Sequence, residues 1–184
     1  VVHHIIAFVR PPGSRWLRNV EPGKPVTDRD RLTGLPVDEM PEFLLSYTPG
    51  RPAAGLADGQ ARQIKAGSDI VFQLHYTTNG KAATDRSKVG MIFAKEPPRE
   101  RVATLPVANR TFAIPPGAPN HRVDAVANIL QPARLQRLIP HMHLRGKAFE
   151  VSLLQPGKDP RVLLRVPRYD FGWQNAYTLA EPIA

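Results

Sequence analysis

Proline interrupts this chain so often that long helices have little room to form. Twenty prolines and 13 glycines are spread over 184 residues. A proline inside a helix removes a backbone hydrogen bond and clashes with the preceding turn. The intervals left suit many strands but few helices longer than about ten residues. The fold class expected is therefore all-β. At 42% hydrophobic and 22% charged, the composition is globular, and the chain is long enough to bury a core.

Taken in order, the first apolar run is Val1 to Val9, interrupted only by His3 and His4 and stopped at Arg10-Pro11-Pro12-Gly13. Neighbouring residues on a regular strand point to opposite faces. Both histidines can serve one metal only if the backbone twists or bulges there; otherwise one ring faces inward and one outward. Residues 11 to 60 are rich in Pro, Gly and Asp, and long loops are expected around one or two strands, one of them at Phe43 to Tyr47. Ser68 to Asn79 gives the clearest alternation. Ile70, Phe72, Leu74 and Tyr76 form the expected core face, and Val71, Gln73, His75 and Thr77 form the more polar one. Val89 to Ala94 is expected to be a further strand.

The composition then shifts. Pro97, Pro98, Pro106, Pro115, Pro116 and Pro119 crowd residues 95 to 120, which places a domain boundary near residue 105, giving domains 1–105 and 106–184. Val123 to Leu130 and Leu135 to Ile139 are expected as short strands, with His121 beside them structural or exposed. Ala148 to Leu154 and Arg161 to Val166 flank Gln155-Pro156-Gly157-Lys158-Asp159-Pro160 and predict a hairpin. Tyr169, Phe171, Trp173 and Tyr177 suggest an aromatic cluster between sheets, with a stacking platform for substrate as the alternative.

The net charge of +9 and a sequence pI near 10.4 bring anionic partners into view. The basic residues are scattered, and no nucleic-acid motif with interleaved aromatics accompanies them, so a generally basic surface is expected rather than a specific nucleic-acid site. No apolar run approaches the ~20 residues of a membrane span. The chain has no cysteine, which leaves His, Met, carboxylates and backbone as metal ligands.

Histidine supplies the chemistry. In Pro140-His141-Met142-His143-Leu144-Arg145-Gly146 two imidazoles are separated by one residue. On a strand they would share a face with Cα atoms roughly 6.6 Å apart, close enough to converge on one ion. Pro140 suits a first strand position and Gly146 a bend. The pair is either a chelating couple or two polar residues on a solvated strand. A pair, a single and a pair then follow one another along the chain: His3 and His4, His75, and His141 with His143. They lie too far apart for local chelation, so a fold must assemble them. Imidazole suits copper, zinc, iron and nickel, and a thioether added to two imidazoles suits cuprous copper.

The order His3-His4, then His75-Tyr76-Thr77-Thr78, then His141-Met142-His143-Leu144-Arg145-Gly146-Lys147 resembles the copper type II, ascorbate-dependent monooxygenases. The segment Tyr169-Asp170-Phe171-Gly172-Trp173-Gln174 is similar to bacterial members of that family. The resemblance covers nearly the whole chain. It implies two jelly-roll-like antiparallel β-sandwich domains, each with one copper ion. His3, His4 and His75 would hold an electron-storing copper, and His141 and His143 would supply two ligands of a catalytic copper. Ascorbate would reduce both, and one atom of O2 would enter a C–H bond of a small-molecule substrate. A secreted or periplasmic location is implied as well. The family completes its catalytic site with a methionine downstream of the His-x-His pair, whereas this chain holds Met40, Met91 and Met142. The third ligand is therefore expected beyond Ala184, the chain is expected to be a fragment, and the fragment is expected to bind copper with little hydroxylation. Ile139 stands where the peptide-amidating branch has an arginine for the peptide carboxylate, which argues against amidation. Two other readings compete: a non-catalytic copper-binding or electron-transfer module, and a basic β-sandwich interaction domain with incidental histidines.

Overall fold

The computed structural model describes residues 2–21, 35, 39–48, 55–109 and 111–184. Val1 and residues 22–34, 36–38 and 49–54 of the Pro- and Asp-rich stretch expected to be loop lie outside them. The described chain is all-β, without an α-helix. It divides into two compact units, Val1–Pro106 and Val107–Ala184.

The N-terminal unit is built on a three-stranded antiparallel sheet. Strand β1 (Val2–Arg10) runs between β2 (Glu42–Tyr47) and β4 (Asp69–Tyr76). Val2, Ile5, Ile6 and Val9 make β1 a natural centre, because β-branched side chains pack well on a pleated surface. Directly opposed residues share a face, so Ile5, Ala7 and Val9 lie beside Leu74, Phe72 and Ile70. Ala7 is fully buried there with Val9 and Leu44, and Leu45, Ile64, Ile70 and Val89 pack against them. Phe8 turns to the other face, edge-on to Phe43 and Trp16. Two-residue strands β3 (Gln60–Ala61) and β5 (Glu100–Arg101) pair in parallel within the same unit.

The turn after β1 is fastened from inside the sheet. Arg10 opposes Asp69 in register and forms an ion pair with it at 2.7 Å. Its Nη1 also donates to the carbonyls of Trp16 at 3.1 Å and Leu17 at 2.9 Å. Leu17 has a φ of 55°, a conformation that a leucine adopts only when its surroundings hold it there. A lysine cannot span the carboxylate and both carbonyls at once. Arg10→Lys should therefore lower stability by about 1–2 kcal/mol, read as a lower denaturant midpoint with an unchanged slope.

The C-terminal unit holds two antiparallel pairs. β6 (Leu135–Leu138) pairs with β9 (Tyr177–Ile183), and β7 (Phe149–Leu153) with β8 (Arg161–Val166). The second pair is the expected hairpin. Its connection turns at Gly157, φ 70°, where Lys158 N–H donates to the Gln155 carbonyl at 3.2 Å.

Several expected elements are absent. Val89 to Ala94 joins no ladder. Val89 packs on the core, but Phe93 is 73% exposed. Val123 to Leu130 is likewise irregular, with Leu130 89% exposed. A strand needs a partner as well as propensity, and neither run has one among the described ladders. The expected core face of β4 holds only in part: Ile70 reaches the core, whereas Phe72 and Tyr76 are exposed.

Candidate metal centres

The backbone of β1 is bulged at the first histidine pair. Val2 opposes Tyr76 and His4 opposes His75, so β1 spends two steps where β4 spends one and His3 is the extra residue. A bulge of this kind re-aims a side chain and sharpens the local twist. The rings of His3 and His4 lie 5.0 Å apart, tilted by 58°. The His4 and His75 rings stack at 3.9 Å and 25°. Three imidazoles from two strands thus meet at one end of the sheet. His4 is 7% exposed, His3 and His75 are half-buried, and the His3 Nε2 and His4 Nδ1 atoms are buried. Beside them, the Tyr76 hydroxyl donates to Asp85 at 3.0 Å, and this bond raises the phenol above its ordinary pKa.

Ring orientation limits what the cluster does as it stands. Ring-nitrogen lone pairs lie in the ring planes, and stacked rings hold those planes nearly parallel, so the lone pairs do not meet. Among the described residues, no group of three or more His, Asp or Glu is arranged to hold a metal ion. The donor set is nevertheless all imidazole, a chemistry suited to copper. The three rings share one location.

The second pair departs from the strand expectation. Residues 139–143 are irregular chain between β6 and a turn at Leu144 and Arg145. The hydrogen bonds explain why. Pro140 has no N–H to give a ladder. The Tyr169 hydroxyl accepts from Met142 N–H at 2.9 Å and donates to the Met142 carbonyl at 2.8 Å, so one side chain takes both backbone groups a neighbouring strand would use. Gly146 N–H closes the turn on the His143 carbonyl at 2.8 Å. Pro140 is buried and Met142 half-buried, while His141 and His143 are exposed. Their rings still lie 5.2 Å apart, edge to face at 81°. His121 is exposed.

Two further residues belong to this site. Gln174 Oε1 lies 2.9 Å from His141 Nδ1, and Gln174 Nε2 donates to the Phe171 carbonyl at 3.0 Å. Pro140, Arg168, Tyr169, Asp170, Trp173 and Tyr177 line a shallow cavity of about 370 Å³ beside it. The aromatics expected to fill a core do otherwise. Trp173 is 66% exposed, and Tyr169 spends its hydroxyl on the histidine loop. The sequence similarity of Tyr169 to Gln174 marked this segment as a unit, but not the contacts its side chains make.

No family model, curated protein or solved structure matches the chain. Among the described residues, no helix is long and apolar enough to cross a membrane.

Proposed function

We propose that the chain is part of a copper-dependent monooxygenase, with His3, His4 and His75 binding an electron-storing copper and His141 and His143 binding the catalytic one. The observation that carries this reading is the bulge at His3, which gathers three imidazoles from two distant segments around buried ring nitrogens. Polar rings at a strand end bury less apolar surface than hydrophobic residues would there. Such local losses are characteristic of functional sites. Copper bound to these imidazoles would supply the one-electron redox chemistry that O2 activation needs. A reductant such as ascorbate would give two electrons. One oxygen atom would enter a substrate C–H bond and the other would leave as water. The chain's net charge of +9 favours approach of an anionic reductant. The cavity beside His141, with Trp173 exposed at its wall, offers a place for a small substrate. Two jelly-roll sandwiches and a secreted or periplasmic location belong to the same proposal.

A non-catalytic copper or electron-transfer module is the second reading. It is favoured by the exposure of His141 and His143, because oxygen chemistry gains from a site that excludes water. Copper titration followed by chelator dialysis tests both. Two equivalents retained, with a cupric spectrum bleached by ascorbate, is the expected result, and retention of none overturns both readings. Reduction without air and then exposure to O2, with and without a panel of small C–H substrates, separates them. Hydroxylated product, from this chain or from a longer one that adds a methionine ligand, marks the enzyme, and reoxidation with no product from either marks the module.

A further inference from the structure

We propose that Gln174 is a positioning residue for His141. Its side-chain oxygen selects the Nδ1–H tautomer of that imidazole and leaves Nε2 as the lone-pair donor toward a metal. The inference rests on the copper reading only for the identity of the cation.

The Gln174 amide is tied at both ends. A carbonyl oxygen can only accept, so the bond to Phe171 identifies the nearer amide atom as nitrogen. Oε1 then faces His141 Nδ1, and it too can only accept. The hydrogen between them must therefore sit on Nδ1. A neutral imidazole carries a single N–H, so Nε2 holds the lone pair. Turning the amide over would set oxygen against the Phe171 carbonyl and lose that bond, which holds the amide with Oε1 toward the ring.

The Phe171 carbonyl is itself held. Trp173 N–H donates to the Asp170 carbonyl at 3.0 Å, and Gly172 N–H to Asp170 Oδ1 at 2.7 Å, so Phe171 lies within a closed turn. Two residues before Phe171, Tyr169 clamps the Met142 backbone. Segment 169–174 thus grips the histidine loop at its backbone and at one ring. Metal-binding histidines commonly give their second ring N–H to such a partner, which fixes tautomer and ring direction.

The test is a long-range proton–nitrogen correlation spectrum of the metal-free 184-residue chain, recorded well above the ordinary imidazole pKa of ~6.5. Wild type should show His141 with its hydrogen on Nδ1. Gln174→Leu should move the population toward Nε2–H, and Gln174→Glu, which keeps an acceptor, should restore Nδ1–H. Unchanged β7–β8 amide signals report that the unit remains folded. Nε2–H in the wild type overturns the proposal. So does a wild-type tautomer in Gln174→Leu with those signals intact. If Gln174→Leu unfolds the unit, the wild-type and Gln174→Glu spectra still decide it. A separate copper titration keeps the two ideas apart. A tautomer switch without copper uptake overturns the copper reading alone, and copper uptake by a His141 bearing Nε2–H overturns the positioning role alone.

Discussion

Replacing His75 with alanine should remove one tight copper equivalent and leave the other in place. His75 is the only contribution of β4 to the histidine cluster, directly opposite His4 in the ladder. Without it two imidazoles from adjacent positions remain. Loss of an outer-shell partner already costs roughly 10–100-fold in metal affinity, so loss of a ligand should cost at least that. The alanine also strips a stacking face from His4, which is 7% exposed, and this alone should lower stability by about 0.5–1.5 kcal/mol. His75→Phe separates the two effects, because phenylalanine keeps a ring against His4 and offers no nitrogen. Both variants should lose the same copper equivalent, and only the alanine should lose appreciable stability. Copper titrations that superimpose on the wild type would show that the cluster is a packing feature of the sheet end.

The bulge under this cluster was legible as a requirement and not as a fact. Adjacent histidines on a strand can share a site only if pairing slips by one residue, and the register between Val2 and His4 does slip. Where a run of β-branched residues had a neighbour to pair with, its pattern sufficed, as in β1, β4 and the β7–β8 hairpin. Val89 to Ala94 and Val123 to Leu130 carry the same local pattern and form no ladder, because pairing is a property of two segments and periodicity reports only one. The reverse failure is β9. Pro182 obscures it in sequence, yet among the described residues β9 pairs with β6 alone, and a missing N–H is tolerated on an edge strand. The pairing is irregular there too: Leu135 opposes Ile183 while Arg137 opposes Thr178.

The second histidine pair failed as a strand for a reason no spacing rule carries. Periodicity described where side chains at positions 141 and 143 would point if the backbone were extended. It could not show that a tyrosine hydroxyl from residue 169 would take both backbone groups of Met142. Proximity of the two rings survived the loss of the strand, since a turn brings neighbours together as readily as a pleat does. Gln174 stood out in sequence only as the end of the 169–174 segment, because a lone glutamine has no signature of its own, and its contacts with His141 and Phe171 exist only in the fold.

Gly146→Ala should damage this second site selectively. A Cβ at position 146 would stand 2.7 Å from Met142 Cβ, 2.9 Å from Tyr169 Cδ1 and 3.0 Å from the His143 carbonyl oxygen. None of these atoms is the free end of a flexible chain. One is fixed to the backbone, one is backbone, and the tyrosine ring is anchored through its hydroxyl. The turn must open, stretching the Gly146–His143 hydrogen bond and loosening the clamp on Met142. Overpacking of this kind costs about 1–3 kcal/mol. Because the displaced residues carry His141 and His143, the copper equivalent assigned to them should weaken while the His75-dependent one is unaffected. Gly157→Ala supplies the matched control. Its φ of 70° strains an alanine, but nothing lies within 4 Å of the added carbon. It should cost about 1–2 kcal/mol in the same unit without touching the histidines. Gly90→Ala, in open space and without a positive φ, should be neutral or stabilising by up to about 1 kcal/mol. Thermal unfolding ranks the three, and copper titration then tells crowding from general destabilisation. Equal weakening of copper binding by Gly146→Ala and Gly157→Ala would mean that the site follows the stability of the whole unit, and the packing at Gly146 would have no separate role.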